Sequence, residues 1–334
     1  MIENSTTIVL GAGASLPYGY PSGSQLIERI LTTYDRGEHN LNDVKEAYQD
    51  LMRLHFQSDL IDAFVNDLRM SKVRSIDEFL EHRAEYRKVG KIAIAYVITS
   101  CEPTIAGEDP LFHSIPNMPT EDHLKSLEKR WYPLLLAAID CGLENLCNNK
   151  LSIVTFNYDR SLEHFLYNAL LSKYGIAAKE KVVEAISSFD IVHVHGILGN
   201  LPWMDANNVR HYGKMKNCYE LGESGELISI VYEGDRQSKN FSRAQKNLKS
   251  SERVVFLGFG YHRSNLHRLG VDKLNPNSQT IIGTRYALTD LQVKNLSHQY
   301  PALRNLVEFP ELEINKFLRE VINLDGRIIA APIG

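Results

Sequence analysis

Cysteine is scarce in this sequence and is not paired by spacing. The 334 residues hold four, Cys101, Cys141, Cys147 and Cys218, with no C-x-x-C among them. A structural zinc draws its ligands from two close Cys/His pairs, so such a site is disfavoured, and four reduced thiols of a cytosolic protein are expected. A long apolar run is also missing. The most apolar stretch, Ile92 to Ile98, falls far short of the ~20 residues that span a bilayer, so no membrane is expected as a partner. The segment MIENSTTIVLGAGAS has no basic flank before its short apolar run, unlike a signal peptide, and a cytoplasmic location is expected. Nor is there a basic excess: a net charge of −4 gives no field that would gather nucleic acid, which is not expected as a partner. Lys246, Lys249 and Arg253 lie among polar neighbours and read as the solvated face of a helix and its exit.

What is present is an ordinary globular balance, 43% hydrophobic and 23% charged, enough apolar material to bury a core. Residues 6–10, TTIVL, are β-branched and apolar and stop at Gly11, the pattern of a buried strand in a parallel sheet. Leu26, Ile27, Ile30 and Leu31 then follow a helical period. Strands are predicted again at 151–156, 189–195, 253–259 and 279–283, with weaker candidates at 304–309 and 228–232. Helices are predicted over 160–175, 238–250 and 288–299. This alternation predicts an α/β fold, a Rossmann-like parallel sheet covered on both faces. Residues 25–148 differ: their apolar positions recur three or four apart, with Pro110, Pro116 and Pro119 marking a break. They are expected to form a large helical insertion or subdomain within a single domain over 1–334, whose Rossmann-like core is 5–24 plus 149–325.

In such sheets the ligand lies outside the carboxyl ends of the strands, and four motifs sit there. Gly11-Ala12-Gly13-Ala14-Ser15 follows the first strand; its glycines allow a sharp turn and bring N–H groups close to a phosphate, although a turn without ligand reads equally well. Leu16 stands where a dehydrogenase fingerprint needs a third glycine, and no Gly-Lys-Ser/Thr follows, so hydride transfer and P-loop chemistry are both disfavoured. In Thr155-Phe156-Asn157-Tyr158-Asp159, Asp159 either caps the next helix or orients a polar network, and the Asn157 amide is suited to orienting a hydroxyl or a water. In His193-Val194-His195-Gly196, a continuing strand would put both histidines on one face as a metal pair. No spacing supplies the remaining ligands, and no metal is expected. His195, beside a glycine expected to open space for a ligand, suits a general base at neutral pH. Leu257-Gly258-Phe259-Gly260-Tyr261 either lines an adenine or ribose pocket or forms a turn with buried aromatics.

Together these pieces resemble the sirtuin superfamily. Its Gly-Ala-Gly-Ile-Ser turn and following Gly-Ile-Pro are matched by GAGAS and Gly19-Tyr20-Pro21, and its Thr-Gln-Asn-Ile-Asp segment by TFNYD with Asn157 and Asp159 in register. A His-Gly pair is matched by His195-Gly196, and a glycine strand end loosely by 257–260. The acidic residue, Phe and Arg that follow in sirtuins are replaced by Ser22, Gly23 and Ser24, and the zinc-binding cysteine pairs are missing. Both departures weigh against protein deacylation, and the stretch 25–148 has no detailed counterpart in the deacylases. What remains resembles the bacterial sirtuin-like branch associated with antiphage defence, to which the segment Ser75-Ile76-Asp77-Glu78-Phe79-Leu80 is also similar. That resemblance implies NAD as a substrate, hydrolysis of its nicotinamide–ribose bond and no metal. A homo-oligomer is expected, because an unrestrained cytosolic NADase would be toxic and assembly is one way to restrain it, and an operon-encoded partner or a phage-derived molecule is the expected activator. By the resemblance GAGAS would hold the pyrophosphate, Asn157, Asp159 and His195 would surround the nicotinamide ribose, and Ser15, Tyr20, Pro21, Thr155, Gly258, Phe259 and Gly260 would complete the pocket. A non-catalytic NAD or ADP-ribose sensor is the alternative, followed by a zinc-free deacylase.

Overall fold

Short runs of β-branched and aliphatic residues cannot bury both faces alone, so they pair into one sheet and recruit helices to each side. The computed structural model describes residues 1–35, 46–103, 109, 111–112, 127–230, 234–286, 288–308 and 311–324. Its five strands are β1 (Thr6–Leu10), β2 (Leu151–Thr155), β3 (Ile191–His193), β4 (Arg253–Leu257) and β5 (Thr280–Gly283). They lie in the order β3-β2-β1-β4-β5, and every pairing is parallel. The fold is therefore α/β and Rossmann-like. Thr6 stands beside both Leu151 and Arg253, so β1, β2 and β4 end level with one another. That register brings three of the four motifs to one rim.

Alternation along the strands sends side chains to two different cores. Ile8, Leu10, Ile153, Val255 and Leu257 join a cluster with the helices of the long helical stretch. Val9, Val154, Val254 and Phe256 join a second cluster on the opposite face. The helices α1 (Gly23–Tyr34), α2 (Glu46–Arg53), α3 (Ser58–Ser71), α4 (Ile76–His82), α5 (Arg87–Thr99) and α6 (Tyr132–Ile139) thus share their core with one face of the sheet. Among the described residues of 25–148 there is no strand. Ser22, one of the departures from the sirtuin pattern, caps α1 reciprocally with Gln25, a device that contributes about 1 kcal/mol. The remaining helices are α7 (Ser161–Tyr174), α8 (Lys179–Ser188), α9 (Cys218–Leu227), α10 (Gly234–Ser250), α11 (Arg263–Leu269), α12 (Asp290–Gln299) and α13 (Ile314–Glu320). No helix among the described residues is long and apolar enough to cross a membrane.

Three strand expectations are corrected. Residues 301–308 form a 3-10 helix rather than the strand expected at 304–309, with Phe309 outside the described residues. Ala302, Leu303 and Leu306 are its buried positions, a helical spacing and not an alternation. Residues 228–230 are irregular, and 231–232 of that candidate lie outside the described residues. The strand expected over 189–195 closes after His193, where the chain turns into Gly196 at φ +81°.

Candidate functional site

The site begins where two loops touch. Gly11 donates to the Leu257 carbonyl at 3.1 Å and Gly13 to the Gly258 carbonyl at 3.0 Å, so the turn after β1 packs backbone to backbone on the turn after β4. A Cβ on Gly11 would lie 2.5 Å from the Gly258 oxygen, and one on Gly258, at φ +58°, would meet the Ala14 nitrogen. The N–H groups of Gly13, Ala14 and Ser15 are all bonded within these turns, so what the glycines supply directly is close packing of two strand ends. Replacing Gly258 by alanine is expected to cost at least roughly 1–3 kcal/mol in denaturant unfolding. Gly260→Ala should stay within about 0.5 kcal/mol, because there the nearest atoms belong to the His262 side chain at 3.2 Å. Equal losses would show that the crossing is not the reason for the glycine.

Asn157 lies on the segment leaving β2. Its Nδ2 donates to the Gly11 carbonyl at 3.0 Å and to Ser15 Oγ at 2.9 Å. The carbonyl can only accept, which fixes the orientation of the amide. Its Oδ1 is buried and has no hydrogen-bond partner, an unsatisfied acceptor on a residue that lines the cavity. Asp159 accepts hydrogen bonds on two sides. Oδ1 accepts from the Ser161 N–H and hydroxyl at the start of α7, while Oδ2 accepts from Ser15 Oγ at 2.7 Å. Burial raises the Asp159 pKa, with the Ser161 and Ser15 hydrogen bonds pulling the other way.

His195 sits past the end of β3, only 4% exposed, with Phe156, Tyr158 and Phe241 around its ring. Burial pushes its pKa below 6.5, opposed by the charge of Asp77 and assisted by that of Arg268. Burial therefore favours the neutral imidazole, the form a base needs. Gly196 is packed where a Cβ would collide with the Leu227 carbonyl oxygen, and the space it borders is a groove of about 510 Å³ on the His193 side, not the cavity of His195. His193 and His195 do not form a face-sharing pair either. His193 turns to Glu163 on α7, and among the described residues no group of three or more His, Cys, Asp or Glu could hold a metal ion.

A cavity of about 250 Å³ collects Gly11, Ala12, Gly13, Ser15, Tyr20, Pro21, Asn157, Asp159, His195, Gly258, Phe259 and Gly260. Two of the expected residues stand behind it. Ala14 is buried in the turn, its carbonyl accepting from Trp131 Nε1, and Thr155 Oγ1 accepts from the Asn157 N–H at 3.1 Å. Tyr20 reaches Tyr212, hydroxyl to hydroxyl, at 2.6 Å. A space of about 280 Å³ shares Gly13 and Gly258 with this cavity, and one of about 880 Å³ shares Ser75, Asp77 and His195.

Asp77 is the site residue that motif reading missed. It enters on α4, from the helical stretch, and its carboxylate accepts from the Tyr158 and Ser75 hydroxyls. The sequence signal was Ser75 followed by acidic residues, which marks a helix start, and Ser75 Oγ does accept from the Asp77 N–H. That signal says nothing about Asp77 facing His195. No protein-family model matches the chain, and no curated protein sequence matches it.

Proposed function

We propose that the chain binds NAD and hydrolyses its nicotinamide–ribose bond, releasing nicotinamide and ADP-ribose. The observation that carries this reading is the buried, unpartnered Oδ1 of Asn157, a residue that lines the same cavity as His195, whose pKa burial lowers. An acceptor held rigidly by two donated bonds suits a ribose hydroxyl or a water, and a neutral imidazole takes the proton that this oxygen loses. Attack on C1′ breaks the N-glycosidic bond through a transition state with oxocarbenium character. Nicotinamide leaves neutral, so no strong acid is needed opposite the base. Asp77 places a carboxylate on the same cavity wall, where positive charge develops on the sugar. The inner cavity is below the ~300 Å³ at which small-molecule sites typically begin, and the adjoining spaces supply room for the rest of a dinucleotide. The sirtuin resemblance supports the choice of NAD. It also supports depletion of NAD in antiphage defence by a cytoplasmic homo-oligomer that awaits an operon-encoded or phage-derived trigger.

The test is nicotinamide release by the purified protein across pH, beside His195→Ala and Asp77→Asn. Activity should fall as pH drops through the depressed His195 pKa, below 6.5. The sign follows from the base being active when neutral. Asp77→Asn removes a charge that favours the imidazolium, so the acid limb should move to still lower pH. His195→Ala should lose about 10²–10⁴-fold in kcat. Wild-type rates in His195→Ala would end this assignment, and NAD binding without release would favour the sensor.

A further inference from the structure

The two histidines of the HVHG motif face different partners, and the one not used in the cavity is the more tightly held. His193 Nδ1 lies 3.0 Å from the backbone carbonyl of Asn157, and Nε2 lies 2.6 Å from Glu163 Oε1. The side chains of His193 and Glu163 are 9% and 4% exposed. Both neighbours of the ring are acceptors. A neutral imidazole carries one N–H and would aim a lone pair at one of them, whereas the imidazolium donates to both.

We propose that His193 is a positioning residue for the site: its imidazolium, braced by Glu163, grips the Asn157 carbonyl and so sets where the Asn157 amide points. Up to Phe156 the segment is held by the sheet: Val194 N donates to the Thr155 carbonyl at 3.0 Å and Phe156 N to the Leu10 carbonyl at 3.0 Å, while Asn157 N bonds only Thr155 Oγ1 of its own strand end. The clamp supplies the backbone hold at Asn157, from β3 and α7, and Asn240 on α10 steadies β3 by donating to the His193 carbonyl at 2.9 Å. Burial alone would lower the His193 pKa. The Glu163 charge and hydrogen bond, with the Asn157 carbonyl and the Asp159 charge, raise it instead. The other charged groups near the ring are Asp205 and Arg243, which line a groove of about 510 Å³ beside it, and Arg243 is itself paired with Asp190.

The sign follows. The folded pKa is above 6.5, so the clamp is fully formed below that value and is lost as pH rises through the raised pKa. With the acid limb of His195, this gives a bell-shaped profile whose alkaline side belongs to a residue outside the cavity. The activity arm of the test rests on the proposed hydrolysis; the spectroscopic arm does not.

In the first arm, nicotinamide release is followed against pH for wild type, Glu163→Gln, His193→Ala and His193→Asn. Glu163→Gln should move the alkaline limb down by about 1–3 units. His193→Ala should lower kcat ~10-fold or more through misplacement of Asn157, with KM for NAD within about threefold. His193→Asn can donate to the same carbonyl without titrating, so it should recover most of that loss and lack the limb. An unmoved limb in Glu163→Gln, or wild-type kcat in His193→Ala, overturns the clamp. In the second arm, the full-length isotope-labelled protein is titrated by NMR. Both His193 ring nitrogens should be protonated at pH 7, and the Asn157 carbonyl shift should follow the His193 curve. An unprotonated ring nitrogen at pH 7, or a carbonyl that ignores the titration, overturns the clamp whether or not NAD is hydrolysed. A folded wild type that passes this arm but releases no nicotinamide overturns only the proposed function.

Discussion

Asn157→Ala is expected to lower kcat for nicotinamide release by about 10²–10³-fold while leaving a folded protein. Truncation removes the unpartnered Oδ1 and also the two bonds by which Nδ2 ties Gly11 and Ser15 to the segment leaving β2. Leaving the Gly11 carbonyl unpaired costs ~1–3 kcal/mol, which a domain with the usual margin of about 5–15 kcal/mol survives. Asn157→Asp is the sharper variant. It keeps the shape but turns an acceptor toward the Gly11 carbonyl, so it should lose activity as well despite offering an oxygen to the ligand. Release rates and circular dichroism of both variants check this. Wild-type turnover in Asn157→Ala would remove the residue from the site and with it the observation on which the NAD reading stands.

Glu102→Ala should destabilise the protein by about 3–5 kcal/mol, because it strands two buried guanidinium groups. Glu102 is 1% exposed and lies just past α5. Its carboxylate accepts from Arg160 Nε and Nη2, from Arg210 Nη2 and from the Gly213 N–H. Arg160 directs its other donors to the carbonyls of Gly199, Arg210 and His211. One carboxylate thus joins the helical stretch, the residue after Asp159 and the loop that carries Tyr212 to Tyr20. Glu102→Gln keeps one acceptor oxygen, and its loss should be nearer ~1–3 kcal/mol. Chemical denaturation separates the two. A cost below about 1 kcal/mol for Glu102→Ala would mean that water screens the cluster as it screens a surface pair.

Much of this arrangement was legible in the sequence. The five strands were, because short β-branched runs specify themselves locally, although the runs at 228–232 and 304–309 read as strands as well and their described residues form none. So was the gathering of GAGAS, TFNYD and LGFGY at one rim, because parallel strands in level register must end on the same side. The start of α7 was readable to within a residue, from an acid two positions ahead of Ser161.

Partners distant in the chain were not legible. Tyr158 meets Asp77 across 81 positions and Glu102 meets Arg210 across 108, and no local period records such meetings. The glycines of the first turn read equally as a phosphate cradle or as a turn without ligand, and their requirement comes from a second glycine turn more than two hundred residues later. His193 and His195 look equivalent in HVHG. They part only because β3 ends between them, sending one ring to Glu163 and the other into the cavity. The sequence by itself determined the strands, the glycine turns and the rim on which the polar residues gather, since each depends on neighbours along the chain. Tertiary structure alone decided which acceptor is left without a partner, which histidine burial pushes toward the neutral form and which acid faces it, because burial and charge are set by groups that only folding brings together.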